Sequence, residues 1–342
     1  MFIRISGAEL KTNLLELIQG NKRTSINFCL IGNILHLQTS GTLIDEKKLV
    51  LREYDSKDIT EITVNIEQTI NLLNENEPVV INVRGDIMEI KQNSFEFVAT
   101  RTPEQRVENI LDTSTSSKFD NFGLIRFISD SKALDGVAKT LSLGLAPIVI
   151  HDNIAYLYYS NTVYSTKVKL PDCSIPSEVA RKLSNVLARS KSCSYVHDAE
   201  SGLLTIGISD NETVTIVSQK ANKQLVQGIK NVLVNLRDVA TVSLRNYKEY
   251  MDIICKAYKK LLLELTICED GIQLHVDNVS TKFVIGSKGK SLVSIKISTE
   301  QLSAISRLFG EEVDVVVKKG DNCICLMQKN SEKKLILAGM LY

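Results

Sequence analysis

The sequence has almost no net charge: 41 Lys and Arg stand against 40 Asp and Glu, a formal charge of +1. A globally basic binder of the histone-like kind is therefore excluded. Any contact with nucleic acid has to come from charge segregated onto one face. Long hydrophobic runs are also missing. The longest apolar stretch, around Leu141–Ile150, falls far short of the roughly 20 residues of a membrane-spanning helix, and Met1-Phe2-Ile3-Arg4 lacks the apolar core of a secretory leader. The cysteines number seven, an odd count with no CxxC among them, so the expectation is a reducing, cytoplasmic setting. Cys323 and Cys325, on one face of a predicted strand, read as packing residues. Only four histidines occur, His36, His151, His197 and His275, and no HExxH, GxSxG or recognisable Cys/His spacing accompanies them. No metal, cofactor or enzymatic activity is expected from such a chain.

What is present is ordinary globular material, 44% hydrophobic and 24% charged, arranged as a repeat. The last fifty or so residues set the pattern. Leu292–Ile297 alternates as a strand, and Ser298-Thr299-Glu300 opens a helix with Leu302, Ile305, Leu308 and Phe309 on one face. Gly310 ends it. Strands at Val313–Lys318, Cys323–Gln328 and Lys334–Met340 form a meander. The same unit recurs earlier. Glu61–Ile66, a short helix Glu67–Leu73 and strands Val79–Val83, Ile87–Gln92 and Phe95–Thr100 make one copy; helix Pro176–Ser190 with Ser194–His197, Leu203–Ile208 and Thr213–Ser218 makes another.

A second kind of unit alternates with the first. Strand Phe2–Ser6, helix Glu9–Ile18 and the hairpin Ser25–Leu30/Ile34–Gln38 begin the chain. Strand Leu124–Ile128, helix Ser131–Leu143, Pro147–Ile150 and Ile154–Tyr159 repeat it. Strand Ala240–Leu244, helix Asn246–Lys259, Leu261–Ile267 and Ile272–Val276 repeat it again. Ile34, Ile154 and Ile272, each just after a turn, recur about every 120 residues, close to a third of the chain. Three domains, 1–113, 122–235 and 239–342, follow from this period, each long enough for a core of its own. Pro103–Asn121, rich in Thr, Ser, Asp, Glu and Asn, reads as the first linker. The second boundary, Gln227 to Val239, carries Val232, Leu233, Val234 and Leu236 and reads as an extended connector with buried residues.

One motif invites a chemical reading. Gly286-Ser287-Lys288-Gly289-Lys290-Ser291 ends like a phosphate loop, but only two residues separate its glycines and a strand follows. It also matches the GxxG of a KH module, which must join two helices. Thr281–Ile285 and Leu292–Ile297 alternate as strands on either side, so a Gly- and Lys-rich hairpin turn is the plain reading.

The polar faces of the helices carry more information. Lys132 and Lys139 lie opposite Leu134, Val137, Ala138 and Leu141. Arg181, Lys182 and Arg189, with Lys191 beyond, lie opposite Val179, Leu183, Val186 and Leu187. Lys248, Lys256 and Lys259 lie opposite Met251, Ile254 and Tyr258. Arg307 faces outward on the last helix, Lys11 is on the polar side of the first, and Lys22 and Arg23 follow it. Any one of these is an ordinary solvated face. Together, in a chain near neutrality, they point to one shared basic surface.

With threefold repetition, basic helix faces and the apolar C-terminal run Leu335–Tyr342, the whole chain resembles a DNA sliding clamp of the bacterial kind, the beta subunit of DNA polymerase III; it is shorter than most such subunits, as a bacteriophage-encoded member could be. The resemblance implies an α+β fold of three tandem clamp domains and a head-to-tail homodimeric ring, with helices on the inner face and sheets outside. It implies a processivity factor that encircles duplex DNA without reading sequence and works with a replicative polymerase and a clamp loader. The basic residues above would then be the DNA contacts. An edge strand with Phe95 and Phe97 would meet one with Phe283 and Ile285 across the dimer. Partner peptides would dock near Leu143, Val163, Tyr164, Ile336, Ala338 and Met340. The family's Gly-His-Arg-Leu-like turn is replaced here by Asn161-Thr162-Val163-Tyr164, and its C-terminal Pro by Gly339. A KH-like binder and a structural protein of repeated β-rich domains are the alternative readings.

Overall fold

In a computed structural model the alternating apolar patterns become β-strands and the 3.6-residue patterns become helices. Residues 1–18, 25–41, 43–55, 60–66, 70–93, 95–103, 116–139, 147–159, 162–259, 261–278, 281–311 and 314–339 are described. The chain begins with β1 (Phe2–Ser6), α1 (Gly7–Ile18), β2 (Ser25–Ile31), β3 (Ile34–Thr39), β4 (Leu43–Val50), β5 (Glu53–Asp55) and β6 (Thr60–Asn65). Then come β7 (Pro78–Arg84), β8 (Ile87–Gln92), β9 (Phe95–Thr100), β10 (Ser117–Phe119) and α2 (Asn121–Lys139). The middle holds β11 (Ile148–His151), β12 (Ile154–Tyr159), β13 (Thr162–Lys167), β14 (Cys173–Ile175), α3 (Ser177–Leu187), β15 (Cys193–Asp198), β16 (Leu203–Ser209) and β17 (Glu212–Val217). After α4 (Lys223–Val234) and β18 (Arg237–Val242) come α5 (Lys248–Ala257), β19 (Leu262–Cys268), β20 (Gly271–Asn278), β21 (Thr281–Gly286) and β22 (Ser291–Ser298). The chain closes with α6 (Thr299–Phe309), β23 (Val315–Lys319), β24 (Cys323–Gln328) and β25 (Lys334–Ala338).

These elements sort into two units, Met1–Phe119 with Asn185–Ser218, and Asp120–Ser184 with Gln219–Tyr342. The first holds a five-stranded sheet, β5-β1-β7-β8-β9, and an eight-stranded one, β10-β15-β16-β17-β4-β3-β2-β6. Leu10, Leu14 and Leu17 of α1 join Ile3, Phe28, Leu37, Val64 and Ile81 in its core. The start of α1 requires glycine: a Cβ on Gly7 would lie 2.2 Å from the Asn74 carbonyl oxygen. Within the large sheet, β17 pairs with β4, setting Thr213 opposite Glu46 and Val214 opposite Asp45.

The second unit holds an eight-stranded sheet, β14-β11-β12-β13-β25-β24-β23-β18, and a four-stranded one, β21-β20-β19-β22. Here β13 pairs with β25, setting Val163 opposite Ile336. Tyr164 stacks on Phe127 of α2 at 5.1 Å and donates its hydroxyl to Asp130 at 2.6 Å. The start of α6 is a capping box between Ser298 and Gln301. Its buried face is Leu302, Ile305, Leu308 and Phe309. Ser306 of α6 donates to Asp252 of α5 at 2.6 Å.

Several sequence expectations change. Leu124–Ile128 is helical rather than a strand. It lies inside α2, where Leu124, Phe127 and Ile128 are buried at helical spacing and Asp120 caps the Gly123 amide at 3.0 Å. The expected connector beyond Gln227 is mostly helix, because Asn222 accepts from the Leu225 amide at 3.0 Å and Val226 and Ile229 are buried. The strand placed at Ala240–Leu244 is β18, Arg237–Val242, and the helix placed at Asn246–Lys259 is a 3-10 turn at Arg245–Tyr247 followed by α5. The Gly286–Gly289 segment is no hairpin: β21 and β22 are opposite edges of their sheet, and the segment crosses its end. There Ser287 bonds Asp270 and the Gly289 amide donates to the Ser287 hydroxyl at 2.9 Å. Strands on both sides remove the KH reading. Of the expected helix Glu67–Leu73, residues 67–69 lie outside the described residues, as does most of the expected linker, 104–115.

Candidate functional site

The apolar pattern of α4 gives the second unit a concavity. Asn222 starts the helix, Val226 and Ile229 turn down onto the sheet, and Leu225 and Leu233 pack beside them against Val163, Cys323, Cys325 and Ile336. Between the helix and strands β12, β13, β24 and β25 lies a groove of about 700 Å³. Val163, Ile336 and Ala338, all expected cleft residues, line it. Tyr164, next to Val163 on β13, points to the other face by the two-residue period of a strand and is fully buried. Its hydroxyl is pushed well above the ordinary phenol range, first by burial and then by its bond to Asp130. Leu143 and Met340 lie outside the described residues. Missing from the expected set is the whole α4 wall, Gln224, Leu225, Gly228, Ile229, Asn231 and Val232. Their helical spacing was the available signal.

The groove's thiols are packing groups. Burial raises Cys323, and it pushes Cys325 up to about 12, so both stay protonated near neutrality. Gly339 follows β25, and a Cβ there would lie 2.6 Å from the Lys296 carbonyl oxygen, which explains a glycine at that position.

The expected basic residues divide by environment. Lys191, Lys256, Lys259 and Arg307 are exposed, Lys256 and Arg307 in the final turns of α5 and α6. Lys11 is half-buried, donating to the Leu73 carbonyl at 3.0 Å and pairing with Glu75 at 3.2 Å. Lys248 pairs with Glu311. Lys182 is half-buried on α3. Lys132 and Lys139 lie on α2 and Arg181 on α3, with side chains outside the described set, and Lys22 and Arg23 are not described.

Arg189 is the main change. Instead of standing on an open polar face it is neutralised: its guanidinium bonds Glu212 at 2.9 Å and lies 3.9 Å from both Asp45 and Glu16. Lys47, buried on β4, bridges Glu16 and Glu212. Three carboxylates thus share two cations. Asp45 is pushed up to about 7, chiefly by burial and then by Glu212, against the lowering pull of Arg189 and Lys47. Beside them His36 Nδ1 lies 3.1 Å from Glu46. In the second unit His151 lies between Asp172, at 2.6 Å, and Asp152, at 3.5 Å, and Lys230 of α4 pairs with Asp152.

Both strands expected at a dimer contact end their sheets: among the described residues β9 pairs with β8 alone, and β21 with β20 alone. Phe95 and Phe97 are half-buried against their own unit's core, while Val98 is 54% exposed. Ile285 is half-buried, and the Phe283 side chain lies outside the description.

No protein-family model matches the chain, and no curated protein matches it. Solved structures do. The DNA polymerase III subunit beta of Pseudomonas aeruginosa matches with a TM-score of 0.75 at 12% identity, over 99% of each chain. Pol III beta of Caulobacter crescentus matches at 0.73 and 13% identity, over 99% of this chain and 100% of the other. A Helicobacter pylori beta clamp bound to a DNA ligase peptide matches at 0.68 and 13% identity, with the same coverage. From end to end, this chain has the fold of the bacterial DNA polymerase III beta sliding clamps.

Proposed function

We propose that the protein is a DNA polymerase processivity factor: two copies close head to tail around duplex DNA, and a replicative polymerase and clamp loader dock in the α4 groove. The observation that carries the reading is the match of fold over 99% of both chains. Three domains, 1–113, 122–235 and 239–342, make up each copy, and β9 of one copy pairs with β21 of the other. Two unpaired edges, Phe95–Thr100 and Thr281–Gly286, supply the hydrogen-bonding groups such a contact needs. A head-to-tail pairing of this kind also covers edges that would otherwise invite aggregation.

A ring that slides cannot hold base edges, so its grip on DNA is diffuse attraction to phosphate. Exposed Lys191, Lys256, Lys259 and Arg307 fit that work, whereas Arg189 is held by its own carboxylates. Retention on nicked circular DNA, measured before and after linearisation across a salt series, tests the reading. Loaded protein should persist on circles and leave when they are cut. Replacing Lys256, Lys259 and Arg307 with Glu should weaken loading and flatten the salt dependence by about 0.9 in log–log slope per lost phosphate contact. Retention indifferent to linearisation would remove the ring. The edge pairing has its own check, since Val98→Asp should give monomers in sedimentation while keeping the core that Phe95 and Phe97 support.

A further inference from the structure

The β11–β12 turn carries chemistry apart from the groove and the basic faces. Asp152 and Asn153 both take positive φ, 52° and 60°, in the two-residue hairpin turn that Asp and Asn tolerate well. On the other side of β11, β14 pairs in register and sets Ile150 opposite Cys173. One residue further along that ladder, His151 comes beside Asp172. The Asp172 carboxylate uses both oxygens: one lies 2.6 Å from His151 Nδ1, and the other accepts the Asp152 amide at 3.0 Å.

An ionised carboxylate only accepts, so Nδ1 carries the proton in that bond, and the neutral ring keeps its lone pair on Nε2. Nε2 lies 3.5 Å from an oxygen of Asp152. That is long for a hydrogen bond. It is the spacing of two ligands on one metal: with bonds of about 2.0–2.2 Å and tetrahedral angles, ligand atoms sit about 3.3–3.5 Å apart. A carboxylate on Nδ1–H behind a free Nε2 is also the usual support of a metal-bound histidine. The ligating atoms of His151, Asp152 and Asp172 all lie within 4.8 Å of one another.

A cation already stands at this place. Lys230 of α4 bonds the same Asp152 oxygen that faces Nε2. An exposed Lys–carboxylate pair holds weakly, so its ammonium is readily exchanged for an ion that bonds nitrogen as well as oxygen.

We propose that His151 Nε2 and Asp152 Oδ2 bind a divalent transition ion of the zinc class. Asp172 is the positioning residue behind His151, water fills the open coordination positions, and Lys230 is displaced. One imidazole with one carboxylate favours zinc, cobalt, nickel or copper over magnesium and calcium, which take oxygen shells. Lys230 competes for the site, so the ion loads only above a threshold concentration, and loading frees the ammonium on α4.

The test uses the full chain, stripped with EDTA and exchanged into chelator-free buffer. ZnCl₂ is titrated in by calorimetry, and long-range proton–nitrogen spectra of the imidazoles show which ring nitrogen responds. The wild type should take up one Zn²⁺ with one histidine shifted at Nε2, and excess Mg²⁺ should leave that signal in place. His151→Gln should remove both the uptake and the shifted signal. Asp172→Asn should weaken binding at least about tenfold and change the Nδ1/Nε2 tautomer signature of His151 before metal is added. Lys230→Met, at a partly exposed helix position, should tighten binding by about threefold or more. Thermal midpoints in EDTA check that each variant is folded; if Asp172→Asn is not, His151→Gln and Lys230→Met decide. No zinc uptake by the wild type overturns the proposal. So does uptake that survives His151→Gln, which would place the ion elsewhere, and so does unchanged or weaker binding in Lys230→Met.

Discussion

The β4–β17 joint and the β13–β25 joint have the same antiparallel ladder and opposite contents. At the first, Asp45, Glu46 and Lys47 are all buried, and Lys47 stands opposite Glu212. At the second, Val163 meets Ile336 and Tyr164 meets Leu335, with a groove open beside them. Main-chain hydrogen bonds do not depend on side-chain chemistry, so strand pairing alone leaves each joint free to take another role. A buried ion-pair cluster is weak evidence for stability, since desolvating the charges roughly cancels their attraction. Its effect at β4–β17 is on register. A slip of one residue would turn Lys47 away from Glu16 and Glu212 and flip every side chain of the strand. The apolar joint gains from burial directly, and a groove lies open beside it.

Removing one partner from the charged joint should give the largest effect. Lys47→Met leaves Glu16 and Glu212 facing each other with Arg189 alone to neutralise them, and should cost about 3–5 kcal/mol in urea unfolding. A loss under about 1 kcal/mol would mean that water, not protein, solvates the cluster. Ile336→Ala at the apolar joint should cost about 2–4 kcal/mol through its lost contacts and the cavity left behind.

Next in size is a pH effect that separates the joints. Asp45 titrates near 7 in the folded protein against an ordinary value of 3.8. Its folded value is raised, so folding takes up a proton. The contribution of Asp45 is complete below its unfolded value and is lost as pH rises through about 7, a few kcal/mol in all. Glu212, Glu16, Lys47 and Arg189 are the charged groups around it. Asp45→Asn should abolish that decline and raise the unfolding midpoint at pH 8. A lowered midpoint at pH 8 would instead make the Asp45–Arg189 pair an ordinary stabilising salt bridge.

The two joints also mark where the sequence could be read. Strands such as Leu203–Ser209 and Cys323–Gln328, and the helix Thr299–Phe309, were legible because their apolar residues repeat at the period of the element. β4 was not, because Asp45-Glu46-Lys47-Lys48 has the look of a solvated loop and only the opposing charges on α1, β17 and Arg189 allow its burial. The same blindness set Arg189 on an open basic face: spacing locates a side chain on a helix but does not reveal a carboxylate brought in from 23 residues away. Val163, Ile336 and Ala338, which line the groove, were named through the family resemblance alone; their own alternation marks strands and not a groove. The α4 wall was not legible, because the glycine at its centre and the run Val232-Leu233-Val234 argue against a helix that Asn222 and the sheet beneath nonetheless stabilise.

The smallest effect on stability should come from the groove side of the apolar joint. Val232 is 41% exposed on α4 and lines the groove. Exposed apolar side chains bury little against their own fold, so Val232→Ser should change unfolding free energy by no more than about 0.5 kcal/mol. On the proposed docking of a partner in the groove, its contribution belongs to binding, where covering a valine withdraws apolar area worth about 25 cal/mol per Å² from water. Affinity for an apolar peptide should fall severalfold while the urea midpoint stays in place. Lys47 should show the reverse, with a large loss of stability and unchanged peptide affinity in whatever fraction remains folded. Measuring both variants by both methods forms a two-by-two comparison. If Val232→Ser lowers stability as much as it lowers binding, the residue is core and the groove wall has been misplaced.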